Sequence, residues 1–346
     1  MSNFFINASN IHNGGGSVLL KEILSELPNE VTTFLVHDSR LIIDYKEYKN
    51  IIFRKIKPNI FSRFISELWI YNNSKKEDIV LCFGNLPPFL KLRSYVILFL
   101  QNRFLIDEIK VVNFLDFYTR LRIYYEKIIL NLFKNNVDRY IVQTQSMQEL
   151  LKNNLQKESL IIPFISSKFL FSDKEQHAFD KTIYDFIYVA SADKHKNHIN
   201  LIKAWICLSK EYIYPSLSFT LNKKVFNNLI KNNFHHNEIV NLKIYNIEIK
   251  KSDSIRDIYK KGKALIFPSL IESFGLPLME AKKLGMPIIA SELDYVRDIV
   301  DPDFTFDPKS PKSIARSVKR FFRISDCYDD PILPSIFINN LFKKKF

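Results

Sequence analysis

The segment from residue 264 to residue 287 predicts a buried strand, a loop and a short helix in immediate succession. Residues 264–268 form an uninterrupted apolar run, as expected of a strand that is covered on both faces. Pro277 suits the first turn of the helix, and Gly285 suits the position just after its end. The amide groups at the start of such a helix are unpaired and lie at the positive end of its dipole, so they favour a bound phosphate.

Two glutamates lie on either side of this predicted helix start. Glu272 belongs to the loop, and Glu280 lies about one turn into the helix, where side chains lean back toward the N-terminus. Both carboxylates would then accept hydrogen bonds from sugar hydroxyls beside a bound diphosphate, as in a nucleotide-sugar site. The alternative is that Glu280 only complements the helix dipole and that Glu272 is a solvated loop residue.

The spacing of residues in this segment resembles the signature of family 4 glycosyltransferases, which are retaining enzymes of the GT-B fold. The matching positions are Pro268, Ser269, Glu272, Phe274, Gly275, Leu276, Pro277, Glu280, Ala281, Gly285 and Pro287. The resemblance implies an α/β chain with two Rossmann-like, doubly wound domains that face a cleft. It also implies transfer of a sugar from a nucleotide-diphosphate donor, with no metal and no further cofactor.

The same resemblance assigns roles to individual residues. Glu272 would bind hydroxyls of the donor sugar, Glu280 would bind the ribose, and Lys196 would offset charge on the leaving diphosphate. Glu272 and Lys196 are therefore the expected catalytic residues. The complete donor-binding set is Gly15, Gly16, Lys196, Glu272, Ser273, Phe274, Gly275, Leu276 and Glu280. Ser191 stands where the family usually has a diphosphate-binding arginine. Asp298 stands where the family commonly has a glutamate, and we expect it to hold the donor-binding residues without contacting the donor.

Short apolar runs and helical periods alternate along the chain and favour parallel sheets. Strands are predicted at residues 4–8, 31–36, 51–53, 79–83, 95–100, 139–143, 186–190 and 242–245. Val18, Leu19, Ile23 and Leu27 have the spacing of a core-facing helix, and residues 146–149 read as a capping box that opens another helix. The predicted domains are residues 1–170 on the acceptor side and 171–325 on the donor side, followed by a tail at 326–346.

Three glycines at residues 14–16 follow the first predicted strand without forming a dinucleotide-binding fingerprint. Within the resemblance they match the loop that lies against the donor, and the alternative is a plain turn from strand to helix. Gln101 and Asn102 occupy the place where the family often has a histidine near the acceptor. Neither is a general base, so we expect them only to position the acceptor.

The composition excludes several functional classes. Three widely spaced cysteines predict no disulfide framework, and the chain shows no signal peptide and no apolar run long enough to cross a bilayer, so a cytoplasmic location is expected. No nucleic-acid motif accompanies the basic residues. His195 and His198 have a metal-like spacing, but neighbouring lysines would repel a cation. Asp301 and Asp303 have the letters of an Asp-x-Asp metal motif, but they flank a proline turn far from the helix that is predicted to bind the diphosphate. We therefore predict no metal site.

The net charge of +13 favours anionic lipid or diphosphate substrates, or else reflects a lysine-rich composition without a function. Residues 51–76 contain the candidate membrane-facing helix. Its apolar stripe is Phe61, Phe64, Ile65, Leu68 and Trp69, and its basic flanks are Arg54, Lys55, Lys57, Arg63, Lys75 and Lys76. This helix either docks at the inner face of a membrane or packs its stripe into the domain core.

The sequence thus predicts a retaining, metal-independent transferase that moves a sugar to a glycan acceptor. The expected acceptor is lipid-linked, in the synthesis of a bacterial O-antigen, capsule or lipopolysaccharide. Two alternatives stay open: a nucleotide-sugar epimerase or phosphorylase on the same fold, and a weakly active binding partner in a polysaccharide assembly complex.

Overall fold

The computed structural model describes residues 2–12, 14–107, 115–165, 182–248 and 255–325, together with Pro334. The predicted boundary between residues 170 and 171 lies outside the described residues, as does the predicted tail apart from Pro334.

The first half of the chain forms a seven-stranded parallel sheet. Its strand order is β3-β2-β1-β4-β5-β6-β7. The strands are β1 (Phe4–Ala8), β2 (Thr33–Asp38), β3 (Ile51–Ile56), β4 (Ile79–Cys82), β5 (Tyr95–Phe99), β6 (Arg139–Val142) and β7 (Ser159–Ile161). The helices are α1 (Gly14–Ser25), α2 (Ile60–Asn73), α3 (Phe117–Phe133) and α4 (Gln145–Leu155).

The second half forms a six-stranded parallel sheet with the order β10-β9-β8-β11-β12-β13. The strands are β8 (Tyr184–Tyr188), β9 (Leu217–Phe219), β10 (Ile244–Asn246), β11 (Gly262–Phe267), β12 (Ile288–Ser291) and β13 (Phe304–Phe306). The helices are α5 (His198–Ser209), α6 (Lys223–Asn233), α7 (His236–Ile239), α8 (Ile255–Tyr259), α9 (Leu276–Lys283), α10 (Asp294–Arg297) and α11 (Pro311–Phe321).

Both sheets reverse their strand order beside the first strand of each half, so β1 lies next to β4 and β8 lies next to β11. In doubly wound sheets, ligands bind outside the carboxyl ends of the strands at this point. Each sheet has its own core, because strands covered on both faces need apolar residues throughout. The predicted fold class, two Rossmann-like domains facing a cleft, is confirmed.

Some local predictions are wrong. Val18, which was predicted to face the core from α1, is 49% exposed, and the buried Leu20 and Leu24 were not predicted. The other three predicted residues are confirmed, because Leu19 is buried and Ile23 and Leu27 pack against the core. Helix α4 is capped by Thr144 rather than by Ser146, because the Thr144 hydroxyl accepts the Met147 amide at 3.3 Å. The glycines at residues 14–16 belong to the first turn of α1 rather than to a loop.

Most of the predicted stripe on α2 does not enter the core. Phe61, Phe64, Ile65 and Leu68 are exposed, and only Trp69 packs inward, against Phe5 and Phe34. Arg63, which was predicted to flank the stripe, forms an ion pair with the buried Glu67 at 2.8 Å. No helix in the described ranges is long and apolar enough to cross a bilayer.

His198 makes the stability of the second domain sensitive to acid. Its ring stacks on Phe219, and burial lowers its pKa from 6.5 to about 3. The unfolded chain therefore takes up a proton below pH 6.5 while the folded chain does not, so stability present at pH 7 is lost as the pH falls. Between pH 7 and 5.5 this histidine should cost about 1 kcal/mol of the free energy of unfolding.

Denaturant titrations at several pH values measure this dependence, and His198→Phe is the matched variant because phenylalanine keeps the aromatic stack without titrating. The slope of stability against pH should be shallower in the variant over this range. Identical slopes in the two proteins would show that His198 is protonated as readily in the folded chain as in the unfolded one.

Candidate functional site

The two expected catalytic residues form a direct ion pair between the central strands of the second sheet. Lys196 ends a short turn after β8, and Glu272 lies in the loop after β11. Lys196 Nζ donates to Glu272 Oε1 at 2.6 Å, and the two side chains are only 14% and 11% exposed. The sequence assigned these groups to different parts of the donor, whereas the structure joins them at one point.

The backbone around this pair is held by buried hydrogen bonds. The hydroxyl of Tyr188 donates to Lys196 O at 2.6 Å and lies 3.1 Å from the hydroxyl of Ser269. Burial raises the pKa of Tyr188 well above its usual value, so this hydroxyl stays a neutral donor. Leu270 N donates to His195 O at 2.8 Å. The loops after β8 and β11 are therefore linked to each other by hydrogen bonds next to the ion pair.

Helix α9 begins directly after the Glu272 loop, as the sequence predicted. Gly275 is its N-cap in the left-handed region, with φ of 71°, and Pro277 lies in its first turn. Gly285 follows the helix with φ of 64°, and Met286 N returns to Ala281 O at 3.0 Å. Both glycines adopt a backbone conformation that other residues rarely tolerate, so the start and end of this helix are fixed locally.

Glu280 lies on α9 beside α8 rather than in the cleft cavity described below. The hydroxyl of Tyr259 donates to Glu280 Oε2 at 2.6 Å, and Tyr259 is fully buried. Burial raises the pKa of the Glu280 carboxyl, and the hydrogen bond from Tyr259 lowers it in part. A carboxylate accepts several hydrogen bonds, so Glu280 can still take a ligand hydroxyl while Tyr259 holds it.

The loop before α9 also contacts the first domain. Arg103 N donates to the hydroxyl of Ser273 at 2.8 Å, and a Cβ added at Gly15 would lie 3.2 Å from Leu276 Cδ1. Gly15 therefore allows α1 to approach α9 closely, and a side chain there would require the end of Leu276 to move by a few tenths of an ångström. Asp298 joins the domains further along, since its Oδ2 accepts the Ser146 amide at 2.8 Å.

A cavity of about 280 Å³ lies in the cleft between the domains. Its lining residues come from both halves: Asn10, Ile11, His12, Gly16, Asn85, Gln101, Asn102, Arg103, Phe104, Arg122, His195, Ile271, Glu272 and Ser273. Five of the predicted donor-binding and acceptor-side residues are thus brought together, namely Gly16, Gln101, Asn102, Glu272 and Ser273. A larger and more open depression of about 740 Å³, beside Arg316 and Arg320, contains none of the predicted residues.

Asn85 shapes the expected acceptor side of this cavity. Its backbone is left-handed, with φ of 67°, and its Oδ1 accepts the amides of Gln101 at 2.5 Å and of Asn102 at 2.9 Å. The amide side chain of Gln101 donates to Phe83 O at 3.2 Å. The segment is therefore rigid, which fits a positioning role better than a chemical one.

Sequence reasoning missed the basic and imidazole groups in the cleft. His12, Arg103 and Arg122 were not singled out, and His195 was considered only as a metal ligand. Nδ1 of His12 and Nδ1 of His195 are buried without a hydrogen-bond partner among the described residues. Burial and the neighbouring Lys196 lower the pKa of His195, so it is neutral near pH 7 and can accept a proton. The sequence could have indicated His12, because it lies just after the carboxyl end of β1, where ligands bind in doubly wound sheets.

The two histidines of the supposed metal motif lie in different surroundings. His195 faces the cleft with its ring 5.5 Å from that of Phe104, whereas His198 is buried between Tyr188 and Phe219. Across the described ranges, no group of three or more histidine, cysteine, aspartate or glutamate side chains is arranged to hold a metal ion.

Comparison with known proteins places these features in context. Residues 171–332 match the family model described as glycosyl transferases group 1. A 142-residue stretch is 28% identical to the serotype-specific mannosyltransferase WbdA of Escherichia coli and covers 40% of this chain. A 62-residue stretch, 18% of this chain, is 29% identical to the O-antigen chain mannosyltransferase B of the same organism. The matches span only 17% and 16% of the lengths of these relatives.

Solved structures resemble almost the whole chain at low sequence identity. Sucrose-phosphate synthase from Thermosynechococcus elongatus superposes with a TM-score of 0.66 at 13% identity, over 93% of this chain and 90% of that one. HepE of Anabaena, solved in complex with UDP and glucose, gives 0.63 at 12% identity with the same coverage of each chain. The described chain therefore has the GT-B fold, and its C-terminal half matches the glycosyl transferases group 1 in sequence.

Proposed function

We propose that this protein is a glycosyltransferase that moves a sugar from a nucleotide-diphosphate donor to a glycan acceptor. The observation that carries the proposal is the Lys196–Glu272 ion pair, because Glu272 lies just before α9 and lines the interdomain cavity. A cation beside the positive end of a helix dipole matches a diphosphate, and a carboxylate beside that cation matches sugar hydroxyls.

The reaction would use charge stabilisation more than proton transfer. As the bond between sugar and diphosphate breaks, negative charge would grow on the leaving phosphate, and the Lys196 ammonium and the dipole of α9 would offset it. Glu272 would hold the sugar while remaining paired with Lys196, and Gln101 with Asn102 would orient the acceptor. We propose metal independence for the same site, because Lys196 and the dipole of α9 would offset the charge of the diphosphate. We also propose retention of anomeric configuration, which the resemblance to family 4 glycosyltransferases implies.

The donor and the reaction can be tested together with purified protein. Thermal unfolding is measured with a panel of nucleotide sugars, beginning with GDP-mannose because two relatives are named mannosyltransferases. A ligand at 100 times its dissociation constant should add about 2.7 kcal/mol to the free energy of unfolding. Product analysis then shows whether the sugar reaches an acceptor with its configuration retained, and whether transfer persists in EDTA.

Each alternative has its own signature in these measurements. An isomerised donor without transfer would indicate an epimerase, and sugar 1-phosphate would indicate a phosphorylase. Loss of transfer in EDTA with recovery in magnesium or manganese would refute metal independence. A protein that no nucleotide sugar stabilises is not the proposed enzyme.

A further inference from the structure

Helix α3 has two apolar faces, and only one of them is buried. Ile123 and Leu130 pack into the core of the first domain. The other face carries seven exposed residues, here called the α3 stripe: Phe117, Tyr118, Leu121, Tyr124, Tyr125, Ile128 and Leu132, between 38% and 82% exposed. At about 100° per residue these seven fall within an arc of roughly 120°, on the side opposite to Ile123 and Leu130.

The α3 stripe is large for a surface that faces water. Helix α3 has 17 residues and is therefore about 25 Å long. A contiguous apolar strip along such a helix usually marks an interaction site. At its C-terminal end lies an apolar groove of about 460 Å³ between α2 and α3, lined by Ile60, Phe61, Phe64, Phe89, Leu90 and Phe133. The stripe and the exposed part of α2 thus form one side of the first domain.

We propose that the α3 stripe docks on an anionic lipid surface. Arg120 and Arg122 border the stripe on its two sides by helical position, and both are exposed. Three of its seven residues are tyrosines, whose rings suit the apolar boundary while their hydroxyls stay in water. The net charge of +13 attracts an anionic surface and opposes pairing with a second copy of the same chain.

Docking in this orientation places the cleft beside the lipid headgroups. Arg122 borders the stripe and also lines the interdomain cavity together with Gln101 and Asn102. An acceptor glycan carried by a lipid could therefore enter the cleft while its carrier stays in the membrane. This inference rests on the proposed function for the identity of the acceptor, whereas the docking itself does not depend on it.

Vesicle co-sedimentation tests the docking with the full chain. Vesicles of phosphatidylglycerol and phosphatidylcholine should bind the protein at low salt, vesicles of phosphatidylcholine alone should bind it weakly, and added salt should release it. The variant Leu121→Ser/Tyr124→Ser/Tyr125→Ser should lower the partition coefficient at least about tenfold, since each side chain loses apolar burial. The matched control is Ile183→Ser/Tyr212→Ser/Val240→Ser, three exposed apolar residues of the second domain, which should bind like wild type.

A second measurement does not depend on a triple substitution. In Tyr125→Trp, brominated lipids should quench the new indole strongly. The tryptophan fluorescence of the unsubstituted protein, which comes from the half-buried Trp69 and the buried Trp205, should be quenched much less. Thermal stabilisation by a nucleotide sugar, measured without vesicles, reports the proposed function separately, so either proposal can fail alone.

Several results would overturn the docking. Wild type that ignores anionic vesicles at low salt would do so, as would a triple variant that binds them as tightly as wild type does. Light scattering that shows a wild-type dimer, and a monomer for the triple variant, would make the stripe an interface between copies of this chain instead.

Discussion

The variant Lys196→Ala is expected to lower the turnover number about 10²–10³-fold while changing donor affinity far less. The ammonium interacts most strongly with the charge that develops on the leaving diphosphate, so its loss weakens the transition state more than the ground state. Its 2.6 Å contact with Glu272 and its 14% exposure keep it fixed and poorly solvated, which increases its electrostatic contribution. Single-turnover kinetics with the donor separate the chemical step from binding.

Two controls keep this result from being confused with misfolding. Lys196→Arg retains a cation at the same position and should recover part of the lost turnover. Glu272→Gln removes the partner charge but leaves Lys196 in place. It should therefore weaken sugar binding more than it lowers the rate of the chemical step. A loss in Lys196→Ala that lies wholly in the Michaelis constant would mean that the lysine binds donor and transition state equally well.

The parts of the site that could be predicted from the sequence depend on local signals. Helix α9 begins and ends as predicted, because Gly275, Pro277 and Gly285 act through their own backbone conformations. The central strands were also predicted within a few residues, because a strand buried on both faces is a continuous apolar run. Such signals need no knowledge of which distant segments meet.

The contacts that complete the site join residues that are far apart in sequence. Lys196 and Glu272 are 76 residues apart, and the Arg103–Ser273 hydrogen bond spans 170 residues. No spacing rule connects such positions, so the resemblance supplied the roles of Lys196 and Glu272 but not their ion pair. Arg103 and His12 escaped notice because their significance comes only from the cleft that they line.

The errors in the helices have a related cause. A 3.6-residue period shows that a helix has an apolar face, but it does not show whether that face meets the core. Helix α3 has two apolar faces, and only packing distinguishes the buried one from the α3 stripe. At α4, Thr144 and Ser146 are both good capping residues, and the end of β6 at Val142 decides in favour of the earlier one.

The variant Glu280→Ala is expected to weaken free nucleotide and nucleotide sugar alike, by about 1.5–3 kcal/mol, or roughly 10- to 150-fold in the dissociation constant. The reason is that ribose, the proposed partner of Glu280, is common to both ligands. Glu272→Ala should leave the free nucleotide nearly unaffected and weaken only the sugar donor, because its proposed partners are hydroxyls of the transferred sugar. Calorimetric titration of both variants with nucleoside diphosphate and with donor measures all four affinities.

The Tyr259 hydroxyl provides the structural control for this division of roles. Tyr259→Phe removes only the 2.6 Å hydrogen bond to Glu280 Oε2 and keeps the ring in the core. Because that hydrogen bond favours the charged carboxylate, its loss should raise the pKa of Glu280 further, so nucleotide affinity in this variant should begin to fall at a higher pH than in wild type as the solution is acidified. The variant should follow Glu280→Ala in direction, with a smaller effect at neutral pH, and should leave the preference for the sugar unchanged. If Glu272→Ala and Glu280→Ala lost nucleotide affinity equally, the two carboxylates would not divide the donor between them, and Glu280 would act on the shape of α9 rather than on the ribose.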